Sequence, residues 1–189
     1  MKILLANFSK MVEDTGGAAK VNCAFANEMH RNGHEVASIY IDDKEGRPFF
    51  PIDDGINFYN LSHYQGRNLL FPKRYKIRRE IYRAFSQKKA RAINDLFIEK
   101  FLLSNVKYIL ERFRPDVIIC FQPAASKVFI SDLGTSIPVI TMSHGDPEDY
   151  FYTYPPSELP SLGKSAVCQV LMPSFEKAIK KRYPDVPVV

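Results

Sequence analysis

The sequence lacks any hydrophobic run approaching the roughly 18 to 20 apolar residues that a membrane-spanning helix requires. Its apolar start, residues 1–7, is too short for a signal peptide, and no small-residue cleavage site follows it. These two absences predict a cytoplasmic protein.

Cysteines and metal-binding patterns are also scarce. The three cysteines, Cys23, Cys120 and Cys168, are widely spaced and form no C-x-x-C pair, which argues against a disulfide framework and a zinc site. Their apolar surroundings predict buried small side chains in a reducing compartment. His30 and His34 have no Glu partner of the H-E-x-x-H kind, so we expect no bound metal.

Two nucleotide-binding motifs are missing. Neither G-x-G-x-x-G nor G-x-x-x-x-G-K-[ST] occurs, so NAD enzymes and kinase-like ATPases are not the first choices. A glycine pair, Gly16-Gly17, does precede the first predicted helix. Two glycines let the backbone approach a ligand closely, and the free N–H groups of a helix start favour an anion. A flexible turn without a ligand is the equal alternative.

What is present indicates one globular domain over residues 1–189. Hydrophobic residues make up 46% of the chain and charged residues 25%, which provides an ample core. Periodicity predicts strands at residues 2–6, 34–41, 55–61, 116–121, 138–142 and 167–172. It predicts helices from residue 18 to the Asn32-Gly33 cap, within 73–113, and at 124–133 and 174–183.

The alternation of strands and helices predicts an α/β fold, a Rossmann-like parallel sheet with helices on both faces. The stretch 73–113 has no Gly or Pro and is long for one helix, so we expect two, with a break at 86–87 or at 104–105.

In such sheets, ligands bind outside the carboxyl ends of the strands. The loops that follow strands, residues 7–17, 122–125, 143–152 and 173–175, should therefore share one edge. His144 is the catalytic candidate, because an imidazole there could hydrogen-bond a sugar hydroxyl or a developing charge. A structural role for His144 is the equal alternative. The candidate substrate-binding residues are Asn7, Gly16, Gly17, Ala18, Gln122, Gly145 and Asp146.

Positive charge is concentrated in one segment. Residues 73–91 hold nine basic side chains and one acidic one, Glu80, although the whole chain carries a net charge of only +5. Tyrosine, isoleucine and phenylalanine alternate with these charges, which is typical of a helix on an anionic membrane surface. A solvated helix face is the main alternative. Nucleic-acid binding is disfavoured, because no helix-turn-helix, RNP or zinc-finger pattern accompanies the charge. The candidate membrane-surface residues are Lys73, Arg74, Lys76, Arg78, Arg79 and Arg83.

Read in order, several short motifs resemble the N-terminal domain of retaining glycosyltransferases of the GT-B fold, in particular family 4 (GT4). They are Gly16-Gly17-Ala18, N-G-H-E-V at 32–36, R-P-D-V-I at 114–118, V-I-T-M-S-H-G at 139–145, and the Pro173-Ser174 turn before a helix that ends at Tyr183-Pro184. The sequence departs from the pattern at Ala18-Ala19, where many relatives carry an acidic residue nearby, and at Asp146-Pro147.

The resemblance implies the acceptor-side half of a two-domain enzyme. Such an enzyme moves a sugar from a nucleotide-sugar donor to a saccharide or lipid-linked acceptor, without a metal, in cell-surface polysaccharide or glycolipid synthesis. The resemblance places Gly16-Gly17 near the donor phosphates and His144 beside the transferred sugar.

The C-terminal donor-binding domain, with its acidic E-x7-E pair, is not among these 189 residues, so this half alone is expected to be inactive. The basic helix adds the expectation of peripheral attachment at the inner membrane face. The alternative is a stand-alone, non-catalytic nucleotide- or sugar-binding module.

Overall fold

The computed structural model describes residues 1–189 and contains one six-stranded sheet whose strands are all parallel. The strand order is β3-β2-β1-β4-β5-β6. The strands are β1 (Lys2–Asn7), β2 (Glu35–Tyr40), β3 (Asn57–Asn60), β4 (Val117–Cys120), β5 (Val139–Ser143) and β6 (Val167–Val170). The predicted Rossmann-like α/β fold is confirmed, although the second, third, fourth and sixth strands are shorter than predicted.

Eight helices connect and cover the strands. They are α1 (Gly17–Arg31), α2 (Lys73–Arg83), α3 (Gln87–Phe97), α4 (Leu103–Phe113), α5 (Pro123–Lys127), α6 (Pro147–Thr153), α7 (Pro160–Lys164) and α8 (Pro173–Arg182). None of them is both long enough and apolar enough to cross a bilayer.

Apolar side chains cover both faces of the sheet, as predicted. On one face, Leu4 and Ile39 pack with α4, including Val106. On the other face, Leu5 and Val36 pack against α1. Because side chains alternate along a strand, consecutive residues of β1 supply both cores.

The long helical region breaks where one of the two predicted sites lies. Ser86 caps α3 by accepting a hydrogen bond from the Lys89 N–H, which separates α2 from α3. At the alternative site, 104–105, the helix is continuous. Asn105 lies inside α4, where its buried side chain donates to the Leu61 carbonyl at 2.9 Å, and a single π-helical turn, Ile98–Leu102, joins α3 to α4.

The connection between β5 and β6 contains two short helices that were not predicted. Residues 143–152 were expected to form a loop, but most of this stretch belongs to α6, and α7 follows it. Both helices are only one or two turns long, so their apolar periodicity is too short to be recognised. They form a separate small core with β6 and α8, around Leu162 and Ile179.

The cysteines behave as predicted. Cys23, Cys120 and Cys168 are buried and unpaired. Burial raises the pKa of the Cys120 thiol to about 12, so it remains a neutral, unreactive core side chain.

The left-handed cap at Gly33 generates a stability prediction. Gly33 ends α1 with φ +84°, and a methyl group there would meet no neighbouring atom, so backbone strain is the whole cost of adding one. We expect Gly33→Ala to lower the free energy of unfolding by about 1–2 kcal/mol, measured by urea denaturation. Gly17→Ala is the matched control: Gly17 has ordinary φ and open space, and should lose nothing. Equal losses in both variants would contradict the strain argument.

Candidate functional site

Strand order reverses between β1 and β4, and the side chain of Gln122 bridges this reversal. Its amide donates to Asn7 Oδ1 and to Ser9 Oγ, both at 2.7 Å, and its Oε1 accepts from the Phe8 N–H at 3.0 Å. Two predicted site residues, Asn7 and Gln122, are thus in direct contact. Their hydrogen bonds fix the start of the β1–α1 loop at the crevice where such folds bind ligands.

The far part of the β1–α1 loop is held from β2. The buried Asp42 carboxylate accepts from the N–H groups of Met11 and Val12 at 2.8 and 2.9 Å. No sequence signal identifies Asp42 as a loop anchor, because only the fold brings its position after β2 beside the loop.

The two glycines of the predicted site differ. The Gly16 N–H donates to Asp14 Oδ1 at 2.8 Å, and a Cβ on Gly16 would lie 3.0 Å from that oxygen. Gly17 begins α1 and has open space where a side chain would be, and Ala18, next in the helix, is exposed. The loop therefore offers backbone close to open space at Gly17, while Asp14 occupies the space at Gly16.

His144 lies just beyond β5, at the same edge of the sheet. Its ring stacks on Phe121 with centroids 5.4 Å apart and planes 15° from parallel. Burial lowers the pKa of His144, which favours the neutral imidazole. Its Nε2 is buried and has no hydrogen-bond partner within the chain. Phe121 therefore holds the ring in place, and the Nε2 atom is left without a hydrogen-bond partner.

The residues next to His144 have structural partners. The Gly145 N–H donates to the Tyr150 hydroxyl at 3.0 Å, and the Ser143 hydroxyl donates to the Gly145 carbonyl at 3.0 Å. Asp146 caps α6, since its Oδ1 accepts from the Glu148 N–H at 2.9 Å. Through these hydrogen bonds, Gly145 and Asp146 stabilise the turn that carries His144.

A groove made of two adjoining cavities lies at the β1–β4 part of this edge, and neither His144 nor the glycine pair lines it. One cavity, of about 340 Å³, is bordered by the β1–α1 loop, α2 and α3. The other, of about 240 Å³, extends to Gln122 and the β5–β6 connection. The two share Phe8, Ser9, Asn94 and Ile98. Of these two, the cavity of about 340 Å³ is called the larger cavity below. A third cavity, of about 460 Å³, lies apart from the groove beneath the β2–β3 connection and receives no residue from β4 or β5.

Two neighbouring carboxyl groups, the buried Glu158 and the half-buried Asp95, line the smaller cavity. Glu158 is only 2% exposed, and Asp95 of α3 approaches it closely enough to hydrogen-bond. If both groups are ionised, Asp95 Oδ2 and Glu158 Oε2 are buried without a hydrogen-bond donor. A proton on either carboxyl group supplies a hydrogen bond to the other, so the pair shares a proton.

The surroundings favour that proton. Burial and the neighbouring Asp95 raise the pKa of Glu158 to about 9, and burial raises the pKa of Asp95. Lys127 opposes the shift but is itself paired with Asp132 at 2.7 Å. Arg91 also faces the pair, and its guanidinium lies over the Tyr154 ring, 3.8 Å from the centroid.

The basic helix α2 presents two different faces. Lys76 and Arg79 line the larger cavity. Ile77, Ile81 and the following Phe85 are spaced by four residues and are 63%, 56% and 84% exposed. The apolar repeat of this segment therefore faces outward instead of toward the core.

The other predicted membrane-surface residues divide as well. Lys73, Arg74 and Arg78 are exposed beside the apolar stripe. Arg83 pairs with Glu80 at 2.8 Å.

Four residues of the groove carry no sequence signal that identifies them as site residues: Lys10, Asn94, Asp95 and Glu158. They belong to a loop, to α3 and to the β5–β6 connection, and no local motif joins them. Only the fold brings them to one groove, where Asn94 and Asp95 of α3 line the cavities together with Ser9 and Gln122, which follow β1 and β4.

This geometry is a Rossmann-like domain with its crevice at the β1–β4 reversal, the fold of GT-B glycosyltransferase domains. A sucrose-phosphate synthase from Thermosynechococcus elongatus superposes with a TM-score of 0.65 at 10% identity, covering 100% of this chain and 47% of that one. An α,α-trehalose-6-phosphate synthase from Burkholderia multivorans superposes with a TM-score of 0.51 at 12% identity, covering 95% and 41%.

The UDP-forming trehalose-phosphate synthase from Burkholderia xenovorans gives a TM-score of 0.50 at 13% identity, covering 95% of this chain and 41% of its own. The present chain thus spans less than half the length of these three solved chains. No protein-family model and no curated protein sequence matches it.

The buried carboxyl pair generates a prediction about pH. Folded Glu158 keeps its proton up to about pH 9, whereas the unfolded chain releases it near the ordinary pKa of 4.5. Its contribution to stability is therefore complete below about 4.5 and falls as pH rises toward 9. A glutamine at position 158 cannot ionise, so the Glu158→Gln variant should become more stable than the wild type as pH rises. Each kcal/mol of that difference in unfolding free energy should raise Tm by about 2–4 °C.

Thermal melts near pH 5 and near pH 8.5 measure this difference. Exposed Glu148→Gln, on the neighbouring helix, is the control and should show no such trend. A Tm difference for Glu158→Gln that stays constant or shrinks with rising pH would show that the pair does not hold its proton.

Proposed function

We propose that this chain is the acceptor-side, N-terminal half of a retaining GT-B glycosyltransferase of family 4. In this proposal the enzyme transfers a sugar from a nucleotide-sugar donor to a saccharide or lipid-linked acceptor. The fold shared with the solved synthases supports the general class. The observation that carries the site is His144, a pre-positioned imidazole with an unpartnered Nε2 at the carboxyl edge of the sheet.

His144 is suited to contact the transferred sugar. Its lowered pKa favours the neutral ring, and a neutral imidazole can donate to or accept from a sugar hydroxyl without a charge to desolvate. Phe121 holds one face of the ring. A hydrogen-bonding group fixed before the substrate arrives costs little reorganisation during the reaction.

The β1–α1 loop is suited to lie against the donor phosphates and the acceptor. Gly17 leaves the backbone accessible, and the first N–H groups of a helix favour an anion. Gln122 and Asp42 hold the loop from both neighbouring strands, so its position does not depend on the ligand. In this proposal the donor is completed by a second domain, the half alone is inactive, and no metal takes part.

The proposed role of His144 is tested by transfer activity. Radiolabelled nucleotide-sugars are supplied one at a time to the protein as expressed from its whole gene, with a membrane extract as the source of acceptor. We expect His144→Ala to reduce label transfer by about 100-fold, the scale of losing one pre-positioned hydrogen-bonding group. Nucleotide-sugar binding by the whole protein should change much less.

The control is His34→Ala, at the opposite end of the sheet beside the start of β2. Equal turnover of His144→Ala and wild type would remove His144 from the reaction. Binding without any transfer, in wild type as well, would favour the non-catalytic binding module.

The outer face of α2 supports a further part of the proposal, peripheral attachment to the cytoplasmic face of an anionic membrane. Ile77, Ile81 and Phe85 form an exposed apolar stripe, and Lys73 and Arg74 lie beside it. Apolar side chains that enter the interface beneath cations at the headgroups are the arrangement of interfacial helices. The acceptor in this proposal is a precursor of a cell-surface polysaccharide or glycolipid.

Liposome sedimentation tests the membrane contact. We expect binding to vesicles containing phosphatidylserine that falls with salt, and little binding to phosphatidylcholine vesicles. Replacing Ile77, Ile81 and Phe85 together by serine should weaken binding by about 10-fold or more, given the apolar area removed. Tyr152→Ser, at another exposed large side chain, is the control. Equal sedimentation with both lipids, or no loss in the triple variant, would end this part of the proposal.

A further inference from the structure

The groove at the carboxyl edge has an uneven distribution of charge. In its larger cavity, Lys10 is exposed and has no ion-pair or hydrogen-bond partner, and Lys76 pairs only with Asp43 at 3.3 Å. Arg79 lies over the Phe71 ring, pairs with Glu80 at 3.2 Å and donates to Asn94 at 3.3 Å. Three cations and one carboxylate, Asp43, line the larger cavity.

The smaller cavity has a different chemistry. Asp95 and Glu158 line it with carboxyl oxygens that accept hydrogen bonds, and the Asn94 amide can donate. Gln122 also lines it, but both of its N–H groups are engaged by Asn7 and Ser9. Glu158 is nearly fully buried and its Oε2 has no donor other than that shared proton. Such a set of planar polar groups matches the hydroxyls of a sugar ring, each of which is both a donor and an acceptor.

We propose that the groove binds a negatively charged saccharide, with the ring in the smaller cavity and its anionic group among Lys10, Lys76 and Arg79 in the larger one. This inference rests on the proposed function, because it names the chemical class of the acceptor. The anionic group is a phosphate or a carboxylate, since both are recognised by the same cations.

The proton shared by the acid pair is part of this arrangement. Two ionised carboxylates beneath the ring would repel an anionic ligand, whereas the protonated pair carries a single charge. Asp95 and Glu158 face Arg91 from α3 and Lys127 from α5, while Asp132 pairs with Lys127. Binding should therefore weaken as pH rises toward 9, where the pair loses its proton.

The experiment is titration calorimetry on the whole chain at pH 7, and no transfer activity is needed. The probes are glucose, galactose and mannose, their 6-phosphates, their uronates, and inorganic phosphate. We expect at least one charged sugar to bind about 10-fold more tightly than its neutral parent, and inorganic phosphate to bind more weakly than that sugar. A uronate or a phosphate as the better ligand identifies which anion the groove prefers.

Two variants separate the two halves of the groove. Lys10→Gln, at an exposed and unpaired cation, should reduce the affinity for the charged sugar toward that of the neutral one. Ala124→Leu fills the smaller cavity and should weaken binding of every sugar while sparing inorganic phosphate. Exposed Lys107→Gln on α4 and Ala178→Leu on α8 are the matched controls and should bind as the wild type does.

Glu158→Gln keeps a donor to Asp95, so it should bind at pH 7 and lose the weakening toward pH 9. The proposal is overturned if no probe binds below about 10 mM, if charge makes no difference, or if phosphate alone binds as tightly as the charged sugar. If transfer depends on His144 while these tests fail, only this inference falls. If charged sugars bind but no nucleotide-sugar is used, the proposed function falls instead.

Discussion

Hydrogen bonds from one side-chain amide hold the crevice of this domain together. Where the strand order reverses, β1 and β4 lie side by side but their following segments leave toward opposite faces of the sheet. Gln122 spans this divergence and fixes Asn7, Phe8 and Ser9. Phe8 and Ser9 in turn border both cavities of the groove. The shape of the candidate site therefore depends on a contact between residues more than 110 positions apart.

The features that depend on neighbouring residues in the sequence were predicted correctly. The strand–helix alternation, the cap at Gly33 and the break before Gln87 follow from periodicity, a left-handed glycine and a serine cap. The same rules do not settle what packing decides. The repeat Ile77–Ile81 predicts a helix, and in the structure α2 buries its Tyr75 side and leaves these residues exposed. Periodicity identifies a helix face but not what that face meets. The Asp95–Glu158 contact joins residues 63 positions apart and has no signature in either segment.

Helix α2 connects the two surfaces on which the proposals rest. Arg79 and Ile77 are two residues apart in a helix of 3.6 residues per turn, so they point to different sides of it. One side borders the groove, and the other carries the exposed apolar stripe. A helix used in this way would set the groove at the height of the lipid headgroups. An acceptor anchored in the membrane and carrying an anionic saccharide would then reach the cations from the side on which it resides.

The burial of the acid pair is not explained by the stability of the fold. Burying Glu158 costs stability at neutral pH, because the unfolded chain would ionise it and the folded chain does not. An apolar residue at that position could pack beside Ala124 without this cost. Cores that merely need to fold avoid such groups, and departures from that rule concentrate at functional sites. The pair lies beneath the groove and faces Arg91, with Lys127 already engaged by Asp132. Its unfavourable burial is accounted for if the remaining acceptor oxygens of the pair bind a ligand with hydroxyl groups.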